Sequence, residues 1–199
     1  MNKTQSATSK EIRLGVETPE WDIVQKCQKG DVAAYEDIAA KYYRRVFTVI
    51  LGVVHDRNDA MEVTQETFYR AFKNIKRFKG GSNFYTWIYR IAVNLAIDLQ
   101  RRRKRSVVDL KEDMDEVIVE TEASGSDPFR KLHDRRLGEK LLRAIDELTP
   151  DHKAVIVMRA VDGLSYKEIG RIMSCSEGTV MSRLHYARKK LQEKLGTDL

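Results

Sequence analysis

The chain has 199 residues, 42% apolar and 33% charged, with three prolines, two cysteines and a net charge of +6. That length and composition suit one large or two small helix-rich domains. Cys27 and Cys175 lie far apart without ligand spacing, so neither a disulfide framework nor a zinc site is indicated.

No apolar run approaches the ~20 residues needed to cross a bilayer. The stretch Met1–Glu20 lacks the hydrophobic segment of a secretory signal. The expectation is a cytosolic protein without membrane insertion, with a disordered leader over residues 1–19. Charge is unevenly spread. Residues 20–105 carry seventeen cations against ten carboxylates, residues 106–128 one against eight, and residues 129–199 fifteen against ten. Two basic blocks flank an acidic connector, an arrangement suited to two nucleic-acid contacts joined by a tether.

The first helical pattern runs from Asp22 to Lys29 and stops at Gly30. Asp31 then caps a long segment in which Tyr35, Ile38, Ala39, Tyr42, Tyr43, Val46, Val49, Ile50 and Val53 recur at three- and four-residue steps. A polar break at His55–Asn58 follows. Asp59 is expected to cap the next helix, with Ala60, Val63, Thr67, Phe68, Ala71, Phe72 and Ile75 inward and Glu62, Gln65, Glu66, Arg70 and Lys73 outward. Lys79-Gly80-Gly81-Ser82-Asn83 has loop chemistry. A further helix is expected from about Tyr85 to Arg103, with Trp87, Ile88, Ile91, Ala92, Leu95 and Leu99 inward.

Residues 106–128 are acidic and end in Ala123-Ser124-Gly125-Ser126-Asp127-Pro128, a flexible-linker composition. Helical patterning resumes at 129–199 with Leu137, Leu141, Leu142, Ile145 and Leu148. Thr149-Pro150 stops one helix and starts the next, since proline at a first turn lacks only an N–H that has no helical partner. Val155, Ile156 and Val161 continue to Asp162-Gly163. Ser165-Tyr166-Lys167-Glu168 is a capping box opening a short helix. Ser174-Cys175-Ser176 makes a turn, and Ser176 caps a helix with Val180, Leu184, Ala187, Leu191 and Leu195 on one stripe. The expected fold is all-α: two helical domains joined by a flexible acidic linker.

Two features carry chemistry. From Thr67 to Ile97 there is no carboxylate, yet the window holds eight of the chain's sixteen aromatics and six cations. Arg101-Arg102-Arg103-Lys104-Arg105 follows soon after. Cations can hold a phosphate backbone while aromatic rings stack unpaired bases. Taken singly, each aromatic reads more readily as core. The second feature is the short helix, turn and basic second helix near the C-terminus, which has the form of a helix-turn-helix. An ordinary hairpin with a solvated face is the bland alternative. In the DNA-binding reading, Glu177, Thr179, Met181, Ser182, Arg183, His185 and Tyr186 could reach base edges or phosphates, and Arg188, Lys189 and Lys190 would lie near the backbone.

A regulator with a sensing N-terminal domain would explain the helix-turn-helix but not the aromatic, carboxylate-free window. A nuclease finds no support: the four histidines are scattered, the linker acids cannot be held rigidly, and neither a catalytic constellation nor a metal or cofactor site is visible.

The chain resembles the extracytoplasmic-function group of bacterial sigma factors. The stretch Asp59–Phe68 is similar to that family's core-polymerase-binding helix. Phe84–Asn94 is similar to its promoter-melting motif. Asp162–Ile169 with Glu177–Leu184 is similar to its C-terminal helix-turn-helix. The resemblance implies a region 2 helical bundle over 20–105 and a region 4 helix-turn-helix over 129–199. Region 2 would bind core RNA polymerase at the clamp helices through Asp59, Glu62, Gln65, Glu66 and Arg70. It would open the −10 element through Phe78, Lys79, Ser82, Asn83, Phe84, Tyr85, Trp87, Arg90 and Asn94, taking up a flipped base. Region 4, near the polymerase flap, would read the −35 duplex of promoter DNA. The connector over 106–128 would thread near the RNA path. An anti-sigma factor is a further implied partner. Met181 and Tyr186 stand where many members carry a cation, which leaves the −35 sequence open.

Overall fold

A computed structural model describes residues 20–109, 138 and 140–196. Their regular structure is helical: α1 (Trp21–Gln28), α2 (Val32–Val54), α3 (Arg57–Asn74), a 3-10 turn (Ile75–Arg77), α4 (Phe84–Asp109), α5 (residues 140–146), α6 (Pro150–Val161), α7 (Tyr166–Met173) and α8 (Glu177–Leu195). The leader and most of the acidic connector lie outside the described residues. The expected start of that connector, residues 106–109, instead continues α4.

Local chemistry sets the boundaries. The Asp31 carboxylate accepts from the Ala34 N–H at 3.0 Å and starts α2. That helix ends at His55, whose left-handed backbone (φ 58°) directs its N–H to Leu51 O. Asp56, not Asp59, caps α3, accepting from the Asp59 N–H at 2.8 Å. The cap falls earlier because Arg57 and Asn58 are already helical. Thr149 caps α6 with Pro150 in its first turn, Ser165 and Glu168 form both halves of the capping box of α7, and Ser176 caps α8. Each cap satisfies N–H groups that a helix start leaves unpaired.

The buried stripe of α2 organises the core. Tyr35, Ile38, Tyr42, Val46, Val49, Ile50 and Val53 face α1, α3 and α4, which pack around it. Within α4, Phe84, Ile88, Ala92, Val93 and Ala96 face inward. Tyr43 and Phe72, expected inward, are exposed at the rim of this core, where Tyr43 stacks on Phe68 and Phe72 meets the Tyr35 ring edge-on at 4.9 Å. Leu141, Leu142 and Val161 are also exposed rather than buried, and Leu137 lies outside the described residues.

The two helical units pack on one another. α6 crosses α2, and α7 lies against α4. The hydrophobic core runs without interruption from Val24 through Val155, Met158 and Ile169 to Leu184. At the α2–α6 crossing Gly52 permits contact: a Cβ there would stand 2.7 Å from Val157 Cγ1. Nearby, the ammonium of Lys153, only 2% exposed, donates to Asp146 at 2.6 Å, and His55 Nδ1 lies 2.5 Å from the same carboxylate oxygen. Burial pushes the Lys153 ammonium below its ordinary range, opposed by Asp146. Burial would raise the Asp146 carboxyl, but the hydrogen bonds from His55 and Lys153, with the charges behind them, outweigh it and bring the group to about 2.

A depressed carboxyl contributes stability above its unfolded value, and that contribution is lost as pH falls through the folded one. The Asp146 contribution is therefore complete above 3.8 and disappears towards about 2. Acid titration followed by circular dichroism and tryptophan fluorescence should show wild type losing stability across that window. Asp146→Asn should be less stable at neutral pH and show a shallower acid limb there.

Candidate polymerase and nucleic-acid interfaces

The loop before α4 is held by an aromatic cluster. Trp21 and Phe78 have ring centroids 6.0 Å apart, Phe78 and Phe84 5.8 Å, and Phe84 and Trp87 5.7 Å. Gln28 Nε2 donates to Ile75 O at 2.9 Å and Phe78 O at 2.7 Å, fixing the turn that leads into the loop. Gly80 lies against Trp21 with φ +72°, and a Cβ would stand 2.9 Å from the indole carbons. Both the conformation and the contact require glycine.

This packing corrects two expectations. Phe78 and Phe84 are buried at 6% and 1% exposure, so neither ring presents a free stacking face. They belong to the core because Phe84 shares the inward phase of Ile88 and Ala92, while Phe78 closes the cluster over Trp21. Their place in the loop is mechanical: they position Lys79, Ser82 and Asn83, of which Lys79 is exposed and the others half-buried. Tyr85 and Trp87 are also half-buried, whereas Arg90 and Asn94 are exposed.

Trp87 and Asn94 meet in a cleft of about 360 Å³ between α3 and α4, lined also by Arg70, Asn74, Arg77, Ile91, Leu95 and Asp98. An indole, two amides and two guanidinium groups in one cleft can accept a planar base and hold phosphates, with the Asp98 carboxylate the one group of the lining that opposes them. Asn74 and Arg77 were not singled out from sequence. Their signal was there, since both lie in the carboxylate-free window and Arg77 is among its six cations.

The outer side of α3 adjoins this cleft. Glu62, Gln65 and Arg70 are exposed, and Arg70 pairs with Glu66 at 2.6 Å. These residues, with Tyr69, Leu99 and Arg102, border a second groove of about 420 Å³. Asp59 departs from the set. It turns to Arg103 in an ion pair and is largely covered. Burial raises its carboxyl, opposed by Arg103, and Asp56 and Glu62 add to the rise. Asp59 joins α3 to α4 rather than offering a free charge.

In the C-terminal unit, Ser174 takes the left-handed conformation (φ 53°) and turns the chain from α7 to α8. Gly170 admits the turn, because a Cβ would stand 2.8 Å from Cys175 O. Ile169, Ile172, Val180, Leu184 and Ala187 fill the inside. Glu177, Met181, Ser182, His185, Tyr186, Arg188 and Lys189 are exposed along α8. Thr179 is half-buried and hydrogen-bonds Ser176 at 2.9 Å. Arg183 turns inward to Asp151 at 3.3 Å, and the Tyr186 ring packs on His152 at 4.5 Å. Free reach thus belongs to Met181, Ser182, His185, Arg188 and Lys189 more than to Thr179, Arg183 or Tyr186.

The helix-turn-helix also touches α4. The Tyr85 hydroxyl donates to Glu168, and an Arg90 guanidinium N–H donates to the Arg171 carbonyl. Burial and the bond to Glu168 push the Tyr85 phenol up to about 12.

Comparison with known proteins shows the family. Residues 38–106 match the model of "Sigma-70 region 2" and residues 138–191 that of "Sigma-70, region 4". The chain is 36% identical over 177 residues to an ECF RNA polymerase sigma-E factor of Haemophilus influenzae, covering 87% of this chain and 93% of that one. It is 36% identical over 182 residues to the sigma-E factor of Escherichia coli strain K12, covering 87% and 92%. Against the ECF sigma factor SigE of Mycolicibacterium smegmatis it is 36% identical over 170 residues and spans 64% of that relative's length. Among solved structures, the fold is similar to the sigma factor RpoE of Bartonella quintana, crystallised with the anti-sigma factor NepR. That likeness has a TM-score of 0.65 at 24% identity and covers 83% of this chain and 98% of that one. It is also similar to CnrH, solved with the cytosolic domain of CnrY, with a TM-score of 0.63 at 20% identity over 90% and 99% of the two chains. The chain belongs to the extracytoplasmic-function group of sigma-70 factors, the initiation factors that direct RNA polymerase to promoters.

The buried and exposed members of the aromatic window should separate on substitution. Phe84→Ala should cost roughly 3–5 kcal/mol, as for other buried aromatics. Asn94→Ala should stay within about 0.5 kcal/mol of wild type, as exposed substitutions usually do. Urea denaturation of the full chain measures both; equal losses would place Asn94 in the core rather than at the cleft.

Proposed function

We propose that region 2 binds core polymerase and opens the −10 element, while region 4 reads the −35 duplex. The observation that carries this reading is the shared α3–α4 surface. A charged groove edged by Glu62, Gln65, Glu66 and Arg70 adjoins the Trp87–Asn94 cleft, and Arg70 lines both. Polymerase bound at the first would bring its DNA to the second. Lys79, Ser82, Asn83 and Trp87 would support the displaced strand, with Arg77 and Arg90 on phosphates and a base in the cleft. Unstacking costs a few kcal/mol, which a fitted pocket recovers.

The leading turns of α8 would enter the major groove, with Met181, Ser182 and His185 towards base edges and Arg188 and Lys189 on phosphates. The work is binding and strand separation, with core polymerase supplying the chemistry of RNA synthesis. The place of action would be the cytoplasm. Among the described residues, no helix is long and apolar enough to cross a membrane. Relatives of this fold crystallised with anti-sigma factors support such a protein as a further partner.

Adding the chain to sigma-free core polymerase should produce promoter-specific transcription, and its absence would defeat the reading. Glu66→Lys should weaken core binding, measured by fluorescence anisotropy, while leaving the melting temperature unchanged. Equal affinity would make the α3 face merely solvated. Arg188→Ala in the holoenzyme should weaken binding to all promoters alike and flatten the slope of log K against log[salt] by about 0.9, the contribution of one phosphate contact. A defect confined to one base position would instead make Arg188 a base reader.

A further inference from the structure

We infer that α1 is the strut that holds the promoter-opening loop in its working shape, with Gln28 and Trp21 as positioning residues. The helix lies ahead of residues 38–106, the region 2 match. The inference rests on the −10 reading above.

The loop has little to hold it on its own. Between Phe78 and Phe84 it carries Gly80-Gly81, the residue type with the widest backbone freedom. The side chains of residues 79–83 add one weak bond, from Ser82 Oγ to Asn83 O at 3.4 Å. Ordering each such residue costs conformational entropy, so contacts from outside must supply the order.

The contacts come from one stripe of α1. Trp21 and Gln28 stand two helical turns apart and share a face. Gln28 Nε2 donates to Ile75 O at 2.9 Å and to Phe78 O at 2.7 Å. Both carbonyls lie where α3 and its 3-10 turn end, and there helical partners run out. The two bonds clamp the chain on either side of Lys76-Arg77, and so they aim Arg77, which lines the α3–α4 cleft. Trp21 acts further along the loop, where its ring packs on Phe78 and its indole carbons meet Gly80.

α1 is itself fixed. Val24 and Cys27, on the adjoining stripe, are buried. The Glu20 carboxylate, just ahead of the helix, accepts from Lys41 at 2.5 Å and from the Tyr42 hydroxyl of α2. One face thus anchors α1 on α2, and the next passes that rigidity to loop and cleft. A binding constellation works only when held within about 0.5 Å of its productive geometry. No residue of α1 need touch DNA for the helix to set which base the loop accepts.

Gln28→Met keeps the length and packing of the side chain and removes both donors. The test uses holoenzyme containing the full chain, on a promoter that wild type transcribes. Permanganate reactivity of −10 thymines reports opening. Fluorescence anisotropy of single strands with the −10 sequence, and of the same strands with one base changed, reports discrimination. Core affinity is measured alongside. Gln28→Met should lower opening roughly tenfold, the worth of two lost hydrogen bonds. It should also bring the affinities for correct and changed strands together, with core affinity unchanged.

Gly80→Ala strains the loop at φ +72° and presses on Trp21. It should give the same pattern, and it carries the test if Gln28→Met does not fold. Opening and discrimination equal to wild type would overturn the inference. So would a loss of core affinity, or of affinity for all strands alike, that matches the loss of opening, since α1 would then be a general support. If wild-type holoenzyme itself neither opens the promoter nor tells the strands apart, the −10 reading fails instead.

Discussion

The apolar stripe of α2 is the constraint on which the rest depends. Between Tyr35 and Val54 it receives α1, α3 and α4, and near its end Gly52 lets α6 approach closely. Burying that stripe supplies the main favourable term for the fold. It also fixes the phase of α4. Once Phe84, Ile88 and Ala92 face α2, Trp87, Ile91 and Asn94 must turn towards α3 and form the cleft. Cleft and core are two sides of one helix, so neither can rotate without the other.

Much of this was legible because helix starts carry local chemistry. Asp31, Thr149, Ser165 and Ser176 cap where their side chains and neighbours indicate. Periodicity likewise exposed the α2 stripe. It was less informative about which neighbour covers a given residue. Leu141, Leu142 and Val161 follow an apolar pattern yet stand at the surface. Phe84 shows the opposite failure: a ring amid cations looked like a stacking platform, but tertiary packing claimed it. Composition identified the window as special without assigning each ring to the strand or the core. The packing of the two units on one another had no sequence signal, because it depends on residues far apart in the chain, such as Arg45 and Asp162.

The missing carboxylates in the window now have two physical reasons. Inward positions such as Phe84 and Ile88 admit no unpaired charge. Outward positions around Arg77, Arg90 and Asn94 face a proposed path for phosphate, where a carboxylate would repel it. Asp98, the first acid after the window, lines the cleft as well and offsets part of its positive charge. The acids that α4 does meet near its start come from the other unit, Asp162 and Glu168. They supply negative charge beside a stretch of α4 that has none of its own.

The contact between the units mixes apolar and polar groups. A purely apolar interface would leave exposed surface on both sides when it separated, at a cost growing with area. A carboxylate bonded to a tyrosine and an arginine exchanges those partners for water, and the net cost of each exchange is small. Interfaces between domains of one chain are commonly of this more polar kind, which favours movement. Val157 against Gly52 gives the contact its register, and Asp162 and Glu168 give it specificity. Tyr85 and Arg90, on the α4 side, supply the donors to the Glu168 carboxylate and the Arg171 carbonyl. Of the α4 residues proposed to meet DNA, Tyr85 and Arg90 bond the other unit, while Trp87 and Asn94 line the cleft with residues of their own unit.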